Sequence, residues 1–283
     1  MRVAMVLAAV LGLISPAAAQ NARYLPAVGT TATYRVLVTA GSGSSEQTLG
    51  QVYRVKITAA DGTVAQGQLT PLALVWRCPA GDKSIGCQQA QNVPNFSRDG
   101  DLISVALPAD VSSGLAKIGR LTIRDFLNVT QVLPIPGLQD MSEIAKPRLG
   151  TTPIMVQTTT TDCDEAALKP FFPFGAVAKA TVLCKVTIET SQSRFASIKD
   201  GKTTHNATYD LSFAGREHVA VPAGTYEVAV IKFKATSDTG PASEGEWEFV
   251  QDLGISAKFS SIIRFPNSTT TTRAVRELIK VEP

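Results

Sequence analysis

Alternation constrains this chain more than any other feature. From Ile255 onward, Ile255, Ala257, Phe259, Ser261, Ile263 and Phe265 interleave with Ser256, Lys258, Ser260, Ile262 and Arg264. A period of two puts one set on each face of an extended strand, and no helix satisfies it. The same period recurs along the chain. Val52, Arg54 and Lys56 share one face of Gln51 to Thr58, while Tyr53, Val55 and Ile57 share the other. Leu102 to Leu107 and Tyr209 to Phe213 alternate likewise, and Val275, Glu277, Ile279 and Val281 form one more face. Tyr34 to Thr39 and Val64 to Leu74 are strand-like, and Tyr226 to Ala235 is a β run rich in Val and Ile. Turn residues separate these runs: Ala40 to Ser45, Asp61-Gly62, Arg98-Asp99-Gly100-Asp101 and Pro222-Ala223-Gly224. Several strands at turn-marked spacing predict an all-β protein. The open forms are a single curved antiparallel sheet, a sandwich or a partly closed barrel.

Helical signals are few. Asp110 to Ile118 reads as a short helix capped by Asp110, with Gly114 weakening it. Asp164 to Lys169 reads as one or two turns stopped by Pro170. The Thr runs at Thr158 to Thr161 and Thr269 to Thr272 suit strand ends or exposed edges. No linker or strong repeat divides the chain, and residues 20–283 fit one large β domain.

The first nineteen residues have a different character. Met1-Arg2 is a basic start, Val3 to Ile14 is apolar, Ser15-Pro16 breaks the run, and Ala17-Ala18-Ala19 offers small residues for cleavage. That is the layout of a secretory signal, with cleavage expected after Ala19. The run is shorter than the about 20 apolar residues a spanning helix needs. No later segment is apolar enough to span, so residues 20–283 are expected to carry no transmembrane helix. The chain after cleavage is then expected to be either soluble or, less simply, an outer-membrane β-barrel, which wants aromatic girdles. Aromatics are only 6% of this chain.

Four cysteines suit an oxidising compartment. Cys78 and Cys87 bracket Pro79, Gly81, Asp82 and Gly86; Cys163 and Cys184 bracket Lys169-Pro170-Phe171-Phe172-Pro173. Four Cys allow three pairings. The local pairs Cys78–Cys87 and Cys163–Cys184 are expected, because each closes a loop marked by turn chemistry. Neither spacing is that of a zinc knuckle or a C-x-x-C redox motif.

Catalytic sets are thin. The chain lacks G-x-S-x-G, H-E-x-x-H and a P-loop. Its two histidines, His205 and His218, have no evident partner set. Asp99 with Asp101 and Asp162 with Asp164 read as solvated turn acids rather than a calcium loop. The formal net charge of +3, with 27 basic and 24 acidic residues, argues against a nucleic-acid surface. No cofactor, metal site or nucleic-acid partner is expected.

Three stretches carry a resemblance. They are Tyr24-Leu25-Pro26-Ala27-Val28-Gly29 running to Tyr34, Val221-Pro222-Ala223-Gly224-Thr225-Tyr226, and Glu246-Trp247-Glu248-Phe249 followed by Asp252-Leu253-Gly254. Together they resemble an uncharacterised family of exported bacterial envelope proteins with Y-x-P-x-x-x-G and V-P-A-G-T-[FY] stretches. The resemblance implies a curved antiparallel β fold in the periplasm. It brings no activity and no catalytic residues. The Pro-x-Gly stretch also reads, without the family, as a tight turn between two strands.

The expected function is a non-enzymatic periplasmic protein that binds an apolar ligand or an envelope protein on a curved sheet. Trp247 and Phe249 share a strand face, and with Tyr226 they are the candidate ligand-binding residues, though such a pair is more often core. A bound ligand calls for a concave apolar cavity above about 300 Å³. The alternatives are an envelope hydrolase with two carboxylates about 5–10 Å apart in a cleft and the outer-membrane barrel.

Overall fold

The computed structural model describes residues 26–41, 47–60, 64–82, 87–88, 96–106, 117–122, 129–134, 154–168, 174, 177–192, 201–266 and 271–283. The segment read as an export signal lies outside them, as do Tyr24, Leu25 and the turn at Asp61-Gly62.

Fourteen strands make one antiparallel sheet. The first half holds β1 (Thr31–Gly41), β2 (Gln47–Ala60), β3 (Val64–Arg77), β4 (Phe96–Asp99), β5 (Leu102–Ala106), β6 (Lys117–Thr122) and β7 (Val129–Pro134). The second half holds β8 (Ile154–Cys163), β9 (Lys179–Gln192), β10 (Gly201–Val221), β11 (Gly224–Ser237), β12 (Ala242–Val250), β13 (Ile255–Arg264) and β14 (Thr271–Glu282). The order across the sheet is β4-β5-β3-β2-β1-β14-β13-β12-β11-β10-β9-β8-β7, with β6 also paired to β3. β8 to β14 is an unbroken meander, and β14 pairs with β1 along its length. The path is open, with β4 at one end and β7 at the other. Of the three forms left open by the sequence, the described strands therefore take the single curved sheet.

The helix α1 (Glu165–Leu168) follows β8. Asp164 caps it by accepting a hydrogen bond from the Ala166 backbone N–H at 2.9 Å. The helix expected over Asp110 to Ile118 is not supported where it can be seen: Lys117 and Ile118 belong to β6, and Ile118 lies opposite Gln68 of β3. Pairing to a neighbouring strand there outweighs a weak local preference. The remainder of that stretch lies outside the described residues.

The alternation shows directly as burial. On β9, Val182, Cys184 and Val186 are buried between exposed Thr181, Leu183 and Lys185. On β11 the rule is suspended: Val228, Ala229, Val230 and Ile231 are all buried, so both faces of this strand are covered. Ala229, Ile231 and Phe233 join Trp247, Phe249, Phe174, Val182 and Leu211 in one core cluster. Val228 and Val230 join Tyr34, Tyr53, Ile255, Ala257 and Leu278 in a second.

The β10–β11 hairpin explains the two-sided burial. Its register shifts between Phe213 and Gly215, where Gly215 takes φ 126°. Such a bulge bends a strand. At the tip, the Ala223 N–H donates to the Leu278 carbonyl of β14 at 3.3 Å, and Val219, Val221, Ala223 and Tyr226 pack on the second cluster. The Pro-x-Gly stretch is thus a hairpin turn that also seals core. Gly224 has φ 138°, a region that L side chains rarely adopt.

Both expected disulfides form, Cys78–Cys87 and Cys163–Cys184, and among the described residues no cysteine is free.

Candidate functional site: an apolar trough with one cation

The central strands carry opposite chemistry on their two faces. On one face, charges alternate in sign from strand to strand. Glu248 lies opposite Lys258, Lys258 opposite Glu277, and Glu277 opposite Arg35. Arg35 bonds Glu277 at 3.2 Å, Lys232 bonds Glu246 at 3.2 Å, and Arg264 bonds Glu244 at 2.7 Å. Glu248 is the buried member, 8% exposed. Burial raises its pKa above the ordinary 4.5, Lys258 opposes the rise, and Glu217, Glu246 and Glu277 add to it.

The other face is apolar, and its relief follows from strand register. One row across the sheet reads Phe233, Gly245, Ser261, Ala274. The next row toward the strand middles reads Ile231, Trp247, Phe259, Arg276, Val36. Small residues aligned on three adjacent strands leave a hollow that the larger residues of neighbouring rows wall in. The Phe233 and Phe259 rings stack there with centroids 5.6 Å apart. Gly245 is required by closeness: a Cβ at this position would run into the backbone carbonyl oxygen of Ser260.

The result is a trough of about 240 Å³ reaching from β9 to β1. Val186, Tyr209, Phe233, Phe259, Ile263 and Phe265 are among the apolar residues that line it. Among the described residues no Asp or Glu lines it; its polar members are His205, Ser243, Ser261 and Arg276, besides the Tyr209 hydroxyl. The volume falls short of the about 300 Å³ at which drug-sized sites begin. The expected apolar cavity above about 300 Å³ is therefore not met by this trough, which is instead a smaller, open apolar channel. A second hollow of about 380 Å³ is bordered by Lys179, Thr181, Asp210, Lys232 and Lys234 together with Ala180, Leu211 and Phe233.

Arg276 lies where the trough meets the second core cluster. Its guanidinium carbon is 5.4 Å from the Tyr34 ring centroid and 5.5 Å from that of Phe259. Cation–π attraction of this kind offsets part of the cost of removing the charge from water. Its Nε is buried without a hydrogen-bond acceptor. Burial pushes the hydroxyl pKa of Tyr34 far above the ordinary tyrosine value, and that of Tyr53 rises for the same reason. Arg276 opposes both shifts without reversing them. Both phenols therefore stay neutral: Tyr53 meets the guanidinium through a side-chain hydrogen bond, but neither phenol supplies a counter-charge.

The three residues singled out from the sequence lie apart from the trough lining. Trp247 and Phe249 do come together, with ring centroids 4.8 Å apart, and Phe174 meets both edge-on. They are buried in the first core cluster. Tyr226 packs on the second cluster at the hairpin tip, where its hydroxyl donates to the Ala223 carbonyl at 3.1 Å. His218 lies opposite Glu227 on the hairpin. Asp99 bonds Arg35 at 3.5 Å and Asp101 meets Arg77 at 3.9 Å. Sequence reasoning missed Arg276, Gly245, Ser261 and Ala274, because their meaning depends on which strands become neighbours.

No family model matches this chain, and no curated protein matches it. Among solved structures it is similar to the hypothetical lipoprotein YmcC of Escherichia coli. That match has a TM-score of 0.34 and 9% identity, and it covers 90% of this chain and 88% of the other. A likeness at that level carries no inference about fold or function.

Proposed function

We propose that this is a non-enzymatic protein of the bacterial cell envelope, exported to the periplasm, which holds an apolar ligand in the trough of its curved sheet. The observation that carries the reading is the trough itself. It is an apolar channel spanning seven adjacent strands, opposite a face of paired charges. Export is supported by the N-terminal signal pattern and by two disulfides, which persist in oxidising compartments. The three stretches that resemble the exported envelope family agree with it. The acids of the central strands pair with bases on the face away from the trough, an arrangement that favours solubility over hydrolysis.

The test is saturable binding of a slender, neutral, environment-sensitive dye such as diphenylhexatriene to the purified mature protein. Ser261→Phe places a large ring on the floor of the trough. Saturable binding by the wild type that is lost in Ser261→Phe supports the reading. An absence of binding, or equal binding in a folded Ser261→Phe variant, overturns it.

A further inference from the structure

We propose that the occupant of the trough is a single-chain amphiphile with an anionic head, its chain lying along Phe233, Phe259 and Ile263 and its head paired with Arg276. This rests on the reading of the trough as a ligand site and adds the chemical class of the ligand.

Charge complementarity carries the argument. Arg276 is a permanent cation, since guanidinium does not lose its proton in proteins. It lines an apolar channel in which the described residues place no carboxylate. The carboxylates of the neighbouring strands, Glu244, Glu246, Glu248 and Glu277, lie at the alternate positions that face the other way, and they are matched there by Lys232, Arg264, Lys258 and Arg35. Two aromatic rings hold the guanidinium by their faces and supply no counter-charge. A cation kept at the edge of apolar surface without a counter-ion selects an anion that brings its own apolar body. The guanidinium fork suits a carboxylate or a phosphate.

Size selects the body. A channel of about 240 Å³ does not enclose a fused-ring molecule or a pair of chains, whereas one extended chain lies in it with its far end in solvent. The far mouth is apolar as well: Phe265 is half exposed there beside Pro241 and Ile263.

Four probes with the same twelve-carbon chain separate the possibilities: dodecanoate, dodecyl phosphate, dodecanol and dodecyltrimethylammonium. Each is titrated calorimetrically into the disulfide-intact mature protein below its micelle concentration. The expected result is one site per chain, with the anions binding roughly tenfold or more tighter than the alcohol and the cation weakest. Tighter binding of dodecanoate assigns the head to a free fatty acid, and tighter binding of dodecyl phosphate to a phospholipid-type head; both support the anionic class. Equal binding of dodecanol and the two anions overturns the head-group inference and leaves the trough reading intact. Binding by none of the four overturns both. Arg276→Met provides a second comparison. The anion advantage should disappear while dodecanol affinity stays within about twofold, and Arg276→Lys should retain part of the advantage. The anion-to-alcohol ratio is taken within one protein at a time, so a loss of stability in a variant does not obscure it, and the dodecanol affinity of Arg276→Met against wild type shows that the trough is intact.

Discussion

Cys163 on β8 lies directly opposite Cys184 on β9 in the antiparallel register, so their disulfide is a rung of the sheet. The residues between them hold α1 and Phe174, the ring that covers Trp247 and Phe249. Closing that loop fixes the lid of the first core cluster as well as the strand pair. Cys163→Ala/Cys184→Ala should therefore lower unfolding free energy by about 2–4 kcal/mol in urea titration. Cys78→Ala/Cys87→Ala closes a shorter loop and should cost less. Equal losses from the two variants would contradict this ranking.

Gly245 sets how closely β12 and β13 approach. Its missing side chain lets the β13 backbone approach, and any Cβ would strike the Ser260 carbonyl. Gly245→Ala should destabilise by about 1–3 kcal/mol, the usual cost of forcing atoms into packed space. Gly201→Ala, at an exposed strand position with open space around the new methyl, should stay within about 0.5 kcal/mol of wild type. Thermal or urea melts of both variants give the comparison, and a harmless Gly245→Ala would show that β12 and β13 separate easily.

Glu248 gives the fold a pH signature. Its folded pKa is raised, chiefly by burial, above the ordinary 4.5. Below that value the side chain is protonated in folded and unfolded states alike and carries no penalty. As pH rises from 4.5 through the raised folded value, the unfolded chain ionises first, and the native state loses stability relative to it. Glu248→Gln stays neutral throughout. The difference in unfolding free energy, wild type minus Glu248→Gln, should fall as pH rises through this window and level off beyond it. A difference that rises instead would mean that Lys258 outweighs burial.

Several of these features are legible in the sequence. The alternation at Ile255 to Phe265 marks β13, and that at Gln51 to Thr58 marks β2. Pro222-Ala223-Gly224 marks the hairpin turn, and the cysteine pairs appear as expected. β8 and β9 were harder to see. Thr158 to Thr161 reads as an edge, the cysteines read as the ends of a loop, and Leu183, 63% exposed, interrupts the polar side of β9. The trough is invisible in one dimension. Gly245, Ser261 and Ala274 are unremarkable singly and form a row of small residues only when three strands align them. Trp247 and Phe249 attract notice by their type, yet the ring that buries them, Phe174, comes from a distant connection.

The pairing of β1 with β14 also orders events in time. During synthesis, β1 to β6 and then β7 to β14 can zip with neighbours closer in the chain, while the free side of β1 waits for almost the whole polypeptide to emerge. The seam at the middle of the sheet is therefore the last to knit and has the greatest sequence separation, which makes its closure slow. Until it closes, two half-sheets each present a bare hydrogen-bonding edge, the form in which β proteins join the wrong partner. Whatever escorts this chain through its first moments has that one seam to guard.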